Sequence, residues 1–140
     1  MNKQLSWFSA LVIGIIVIAV GVSCGGSKEG GTSASAPESP YAPLLGRWLR
    51  PDGGYVLAIN RVDSDGTADA AYYNPNPIRV SRARASADGG KLELFVELRD
   101  AGYPGCTYKL IYDKAEKKLT GVYFQAAQQQ SYDILFVREE

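Results

Sequence analysis

Short runs of alternating apolar and polar residues fill the chain from residue 41 to its end. In the clearest run, Lys91–Arg99, four residues fall on one apolar face: Leu92, Leu94, Val96 and Leu98. A period of two with one apolar face is typical of a half-buried β-strand. Seven further runs share this character: Leu45–Arg50, Tyr55–Arg61, Thr67–Asn74, Ile78–Ala85, Cys106–Asp113, Leu119–Gln125 and Tyr132–Arg138. The pattern therefore predicts eight strands.

The links between these runs are short and consist mostly of turn-forming residues such as Gly, Pro, Asn and Asp. Links of this length join neighbouring antiparallel strands. An open sheet of eight strands leaves two unpaired edges, whereas closure into a barrel removes them. We therefore predict an all-β fold for residues 41–140, a single eight-stranded antiparallel up-and-down barrel. It follows an N-terminal apolar signal helix and a flexible linker.

The first 24 residues have the order of an export signal. Lys3 precedes an uncharged, mostly apolar run from Leu5 to Val22, and small residues lead into Cys24. Small residues directly ahead of a cysteine also resemble the lipobox of bacterial lipoproteins. That resemblance implies removal of residues 1–23 as a signal peptide and a lipid on Cys24. Gly25 is not the Asp of inner-membrane retention, so the outer membrane is favoured if the cell is Gram-negative.

Two other anchoring modes remain open for this segment. The apolar run of 18 residues is close to the length of a membrane-spanning helix, so an uncleaved single-pass anchor is one alternative. Ordinary secretion is the other. All three place the folded domain outside the cytoplasm, in the cell envelope or beyond it.

Residues 24–40 form the predicted linker between the anchor and the barrel. After Cys24 this stretch is rich in Gly, Ser and Pro and holds no large apolar side chain. Such a segment cannot bury enough surface to offset its chain entropy, so we expect a flexible tether. Removal of Lys3 with the signal leaves 14 basic and 15 acidic residues. This near-neutral balance gives no reason to expect nucleic acid as a partner.

The first and last predicted strands carry a pattern known from one group of barrels. Gly46 and Trp48 stand in a Gly-x-Trp pattern on the first strand, and Arg138 ends the last. This resembles the structural signature of the calycins, the lipocalin and avidin group. The resemblance implies a calycin-like barrel with Trp48 at its base and Arg138 packed across the indole by a cation–π contact. The chain also resembles small bacterial lipoproteins, which implies no activity.

Catalytic chemistry has little support in the composition. The chain has no histidine, which removes the commonest general base and a common metal ligand. The acidic segment Asp63–Asp69 is predicted to be a hairpin turn with Gly66 at a positive φ, in preference to a calcium loop. We therefore expect neither enzyme activity nor a cofactor or metal. Cys106 has no basic neighbour in sequence, so a buried, inert thiol is favoured over a functional one.

Binding residues are sought among the tyrosines and arginines around the third and fourth strands. Tyr72 and Tyr73 end the third strand, and tyrosine offers an apolar ring with a polar tip. Alternation from Ile78 and Val80 places Arg82 and Arg84 on the inward face, where they would meet an anionic group near one barrel end. Solvated arginines and barrel-packing tyrosines are the plainer interpretations, and they stay open. The bulk of the inward side chains favours a filled interior over a hollow one.

Two functions agree with these features. The first is a non-catalytic envelope lipoprotein whose barrel binds a small apolar or amphiphilic molecule. The second is a protein-interaction module that acts through barrel loops, in the manner of periplasmic inhibitors of proteases or lysozymes. In the second, the contacts would come from the links Asn74–Pro77 and Arg99–Gly105. The expected partners are the membrane, through the N-terminal lipid, and either a small molecule or an envelope protein.

Overall fold

A computed structural model describes Glu38–Glu140. The predicted signal peptide, Cys24 and most of the predicted linker lie outside these residues. The described part begins with a short 3-10 helix, Ala42–Leu44, and continues as nine strands. The strands are β1 Gly46–Arg50, β2 Tyr55–Val62, β3 Ala68–Asn74, β4 Asn76–Ile78, β5 Val80–Asp88, β6 Lys91–Asp100, β7 Tyr103–Asp113, β8 Lys118–Gln125 and β9 Gln130–Arg138. No helix among the described residues has the length and apolar character needed to cross a membrane.

All the strands belong to one antiparallel sheet in the order β4-β3-β2-β1-β9-β8-β7-β6-β5. The first and last strands pair with each other, so the sheet curls into a nearly closed barrel. The predicted all-β antiparallel barrel is thus confirmed, and the fold is compatible with a calycin-like barrel. The strand count differs by one from the expected eight.

The additional strand arises where the barrel closes. The predicted run Ile78–Ala85 is divided at Arg79, with β4 folded back on β3 and β5 paired with β6. The Arg79 N–H donates to a carboxylate oxygen of Asp100 at 2.8 Å, and its carbonyl accepts from Arg99 at 3.0 Å. The chain therefore passes from one edge of the sheet to the other at this residue.

A second contact joins the same two edges of the sheet, between the turn that links β2 to β3 and strand β5. The Ala85 N–H donates to the Gly66 carbonyl at 2.7 Å, and Thr67 forms an isolated antiparallel bridge with Arg84. Gly66 has a φ of +85°, and a Cβ there would lie 2.2 Å from the Ala85 carbonyl oxygen. Only glycine fits this turn without a shift of backbone, so Gly66 contributes to closure.

One end of the barrel is closed by the first strand and the short helix before it. Trp48 is fully buried and its indole N–H donates to the Leu44 carbonyl at 2.8 Å. The Arg138 guanidinium lies 4.3 Å from the Trp48 ring centroid and donates to the Leu45 carbonyl at 2.7 Å. Gly46 has a φ of +115°, and a Cβ there would lie 2.8 Å from this guanidinium. The contact expected between Trp48 and Arg138 is therefore present.

The core fills most of the barrel above this base. The inward residues of β6 are almost completely buried, as the alternation predicts: Leu94, Val96 and Leu98. Glu97 is also buried although it faces outward, because the guanidinium groups of Arg82 and Arg99 cover its carboxylate at 3.0 and 2.8 Å. Since both the helix Ala42–Leu44 and the last strand meet the base, both ends of the described chain lie at the closed end.

Candidate functional site

The opposite end of the barrel contains a cavity of about 340 Å³, which we call the mouth cavity. Its wall consists of aromatic and polar side chains: Arg50, Tyr55, Tyr72, Asn74, Gly102, Tyr103, Tyr108, Tyr123, Gln125 and Tyr132. Strand alternation places these groups there, since a residue two positions beyond a core residue points into the same interior. Arg50, for example, follows Trp48 by two positions on β1. Six of the nine tyrosines of the chain line this cavity.

Several of these tyrosine rings lie nearly parallel to one another. The centroids of Tyr108 and Tyr123 are 4.6 Å apart with planes at 28°, and Tyr123 and Tyr132 are 6.5 Å apart at 25°. Tyr55 and Tyr72 form a second stacked pair at 6.3 Å and 23°. Tyr132 is 40% exposed, so the first stack reaches solvent at the rim. The wall of the cavity thus contains two stacks of tyrosine rings.

Arg50 is the one charged residue in the wall of this cavity. Its guanidinium lies 5.0 Å from the Tyr55 ring centroid and 5.5 Å from that of Tyr123. Two of its nitrogens bind the two carboxylate oxygens of Asp52, each at 2.7 Å. Burial lowers the pKa of Arg50, but the hydrogen bonds to Asp52 and Tyr108 outweigh burial and raise it above its ordinary value. The positive charge is therefore permanent and already balanced by a carboxylate.

A buried hydroxyl pair lies behind this arginine. The Tyr72 and Tyr108 hydroxyls are 2.8 Å apart, and Arg50 donates to the Tyr108 hydroxyl at 3.2 Å. Burial raises the pKa of Tyr72 and of Tyr108 above the ordinary value of tyrosine, and it does the same for Tyr123. These phenols therefore stay protonated at neutral pH. They offer neutral hydrogen-bonding groups to a ligand, whereas a nucleophile or metal ligand would need the phenolate.

Of the two tyrosines predicted from the sequence, the barrel brings only one into the cavity. Tyr72 points inward and is 2% exposed. Tyr73 follows it on β3 and points to the outer surface, where the Arg47 guanidinium lies 5.7 Å from its ring centroid. The period of two separates neighbours in sequence onto opposite faces, so the two residues cannot act in one interior site.

The inward placement expected for Arg82 and Arg84 is wrong. The register of β5 against β6 shifts between Val80 and Arg82, and this bulge reverses the alternation beyond it. Ala83 and Ala85 are consequently buried, whereas Arg82 and Arg84 are exposed on the outer surface. The structure does not bring these arginines to the mouth cavity, which therefore lacks the contacts to an anionic group that they were expected to make.

Sequence reasoning missed the part of the site carried by β1, β7 and β8. The pattern alone could have indicated that Arg50, Tyr108 and Tyr123 point inward, because each stands an even number of positions from a large apolar residue of its own run. These apolar residues are Trp48, Leu110 and Leu119. The sequence does not reveal that these strands converge at one end with their tyrosines stacked. That convergence depends on strand order and register around the barrel.

Other candidate groups have structural roles within the described residues. The segment around Asp63 forms a hairpin turn in which the Gly66 N–H donates to the Asp63 carbonyl at 2.9 Å, and Asp65 accepts from the Thr67 N–H at 2.8 Å. Residues 38–140 contain no group of three or more side chains placed to hold a metal ion. Cys106 is a free, fully buried thiol.

Comparison of the chain with protein-family models, with curated proteins and with solved structures finds no match. The geometry of the barrel and its mouth cavity is accordingly the basis for inferring a function.

Proposed function

We propose that the protein is a non-catalytic binding barrel that holds a small, uncharged, amphiphilic ring compound in its mouth cavity. The observation that carries this proposal is the tyrosine-lined cavity at the open end. Its volume of about 340 Å³ is at the lower end of the roughly 300–1,000 Å³ typical of small-molecule sites. The ligand is therefore small, and it is bound by aromatic faces and neutral polar groups.

The charge balance of the cavity favours an uncharged ligand. Arg50 is paired through two hydrogen bonds with Asp52, so an anion would have to compete with a carboxylate already in place. The remaining polar groups of the wall are hydroxyls and the amides of Asn74 and Gln125. Such groups orient a ligand by hydrogen bonding, while the stacked rings of Tyr123 and Tyr132 cover its apolar part.

The ends of the described chain suit a protein anchored from its N-terminus. We propose that lipid on Cys24 holds the barrel at the cell envelope, in the outer membrane if the cell is Gram-negative. The chain enters the barrel beside Trp48 at the closed end, and the mouth cavity lies at the other end. The first described residues therefore lie at the end of the barrel away from the cavity.

The short links between strands favour the cavity over a surface of loops. The links beyond β3 and β6 are reduced to Pro75 and to the pair Ala101–Gly102. Such tight turns offer little surface for the alternative, an inhibitor or interaction module that binds a protein through loops. The mouth cavity in turn gives no support to an enzyme, because its phenols stay protonated and its arginine is paired with a carboxylate.

Binding of the uncharged aromatic dye N-phenyl-1-naphthylamine, followed by its fluorescence, tests the cavity. We expect saturable binding that weakens roughly tenfold in Tyr132→Ala, since loss of a stacked ring removes about 1.4 kcal/mol. Tyr73→Ala removes the same side chain from the outer surface and should bind the dye as the wild type does. Equal loss in both variants, or no binding at all, would refute the cavity as the site.

Native mass spectrometry of the protein isolated from its own cells tests the anchor and the natural ligand together. We expect a mature mass that begins at Cys24 and includes lipid, with a small molecule retained by the wild type and lost in Tyr132→Ala. A mass that includes residues 1–23 would refute the lipid anchor. Co-isolation of a protein, with an empty cavity, would instead favour the interaction module.

A further inference from the structure

The outer face of strands β7, β8 and β9 carries most of the exposed apolar side chains. Three of the five exposed large apolar residues in the described part of the chain are Ile111, Val122 and Leu135, one on each of these strands. A depression of about 660 Å³ lies beside Ile111 and Val122, and one of about 380 Å³ lies beside Leu135. Apolar side chains clustered on an otherwise polar surface are typical of an interaction site.

The strand register places a charged residue on each side of Val122. Val122 pairs with Lys109 on β7 and with Asp133 on β9. All three are exposed, and they form a row across the sheet that is basic, apolar and then acidic. Neither Lys109 nor Asp133 forms an ion pair or a side-chain hydrogen bond within residues 38–140. Both charges are therefore free to pair with another molecule.

The neighbouring row has apolar residues at both ends. Thr120 on β8 pairs with Ile111 on one side and with Leu135 on the other. Both rows are thus centred on β8. When a second copy is laid over the face with its β7 and β9 sides exchanged, the basic end of the first row meets the acidic end, and the apolar ends of the second row meet each other. A surface that is complementary to itself under a half-turn is what a two-fold symmetric dimer requires.

We propose that this face pairs with the same face of a second copy of the chain, about a two-fold axis that runs parallel to β8 beside Val122. The half-turn places β9 of one copy over β7 of the other and β8 over β8. Each residue keeps its height along the direction of β8. Lys109 of one copy then faces Asp133 of the other, and this ion pair occurs twice. Val122 of each copy then meets Val122 of the other between the charged pairs, and Ile111 of each copy faces Leu135 of the other in the row beside them.

The geometry of packed sheets permits this arrangement. An axis parallel to β8 aligns the strands of the two copies, and face-to-face sheets pack about 10 Å apart with strand directions within about 30°. The face spans three strands at about 4.8 Å and roughly five residues at about 3.3 Å, or about 14 by 17 Å. That area is below the roughly 800 Å² per partner of stable interfaces, so the dimer is weak and reversible.

Exchange of the two charges tests this pairing directly. The experiment measures the dimerisation constant of the full chain in detergent solution by sedimentation velocity over a range of protein concentrations. Lys109→Asp places two acidic residues opposite each other at both ends of the row, and Asp133→Lys places two basic ones there. We expect each single variant to dimerise at least tenfold more weakly than the wild type, since like charges oppose association.

A mixture of the two single variants provides the sharpest result. In a mixed dimer the new aspartate of one copy faces the new lysine of the other, and the unchanged Asp133 faces the unchanged Lys109. We therefore expect the variants to associate with each other about as tightly as the wild type does. The double variant K109D/D133K should recover dimerisation in the same way, whereas Asp69→Lys, on the exposed part of β3, should leave it unchanged.

Three outcomes would overturn the proposal. The first is a wild-type chain that stays monomeric at the highest concentration attained. The second is single variants that dimerise like the wild type. The third is a mixture that fails to associate although each single variant is folded by circular dichroism, because the charges would then not face each other.

Discussion

Replacement of Tyr108 by Phe tests the hydroxyl network that supports the mouth cavity. The Tyr108 side chain is fully buried, and its hydroxyl lies 2.8 Å from that of Tyr72 and 3.2 Å from a nitrogen of Arg50. The variant keeps the aromatic ring but removes both hydrogen bonds. It also leaves the Tyr72 hydroxyl buried without its partner, which costs more than an exposed group would.

The expected loss of stability follows from the energies of the two hydrogen bonds that the Tyr108 hydroxyl forms. A neutral hydrogen bond contributes about 1 kcal/mol and a bond to a charged group about 1.5–3 kcal/mol. Arg50 keeps its two bonds to Asp52, so the lower end of that range applies. We therefore expect Tyr108→Phe to lower the free energy of unfolding by about 2–3 kcal/mol. For a domain of this size the midpoint of thermal unfolding falls by roughly 10–20 °C.

Two further tyrosine variants set the scale for this loss. Tyr72→Phe removes only one bond, because Tyr108 still accepts from Arg50, so we expect a loss of about 1 kcal/mol. Tyr112 packs edge-on against Trp48, and its hydroxyl has no hydrogen-bond partner in residues 38–140, so Tyr112→Phe should change stability by less than about 0.5 kcal/mol.

The assay is equilibrium urea unfolding followed by far-ultraviolet circular dichroism, with the three single variants and the double variant Y72F/Y108F. The double variant should be no less stable than Tyr108→Phe alone, because it removes the orphaned Tyr72 hydroxyl. Equal losses in Tyr108→Phe and Tyr112→Phe would refute the reasoning. A larger loss in Tyr72→Phe than in Tyr108→Phe would refute the assigned role of Arg50.

Two further predictions concern the alkaline stability and the closed end of the barrel. Burial raises the pKa of Tyr72, Tyr108 and Tyr123, so unfolded tyrosines ionise near pH 10 while the folded ones stay protonated. Stability should then be complete below about pH 10 and fall above it by up to about 1.4 kcal/mol per pH unit for each tyrosine, measured by urea unfolding. A stability unchanged up to about pH 11 would contradict this. Trp48→Ala should lower the free energy of unfolding by about 3–5 kcal/mol, since Trp48 is fully buried, and an unaltered melting temperature would show that Trp48 is not the base of the core.

The alternation of apolar residues was sufficient to predict most of the strands, because each strand buries one face of its own side chains. Gly46, Trp48 and Arg138 likewise indicated the closed end, and the contacts of Arg138 and the positive φ of Gly46 explain why these residue types stand there. Cys24 lies outside the described residues, so the lipid anchor stays a prediction.

The error at Arg82 and Arg84 has a definite cause. Alternation carried forward from Ile78 and Val80 assumes that every residue advances the strand by one position. The bulge before Arg82 inserts one residue, and every side chain beyond it then changes face. A bulge depends on pairing with β6, and the sequence of β5 alone does not contain that information.

The sequence by itself determined the class of fold, the approximate limits of its strands and the residues that close one end. These features depend on local alternation and on turn residues, which a linear pattern records. Only the tertiary structure decided that six tyrosines and Arg50 meet at the other end, and that Lys109 and Asp133 flank Val122. Those groupings join residues distant in sequence, and they depend on the register between strands and the curvature that closes the sheet.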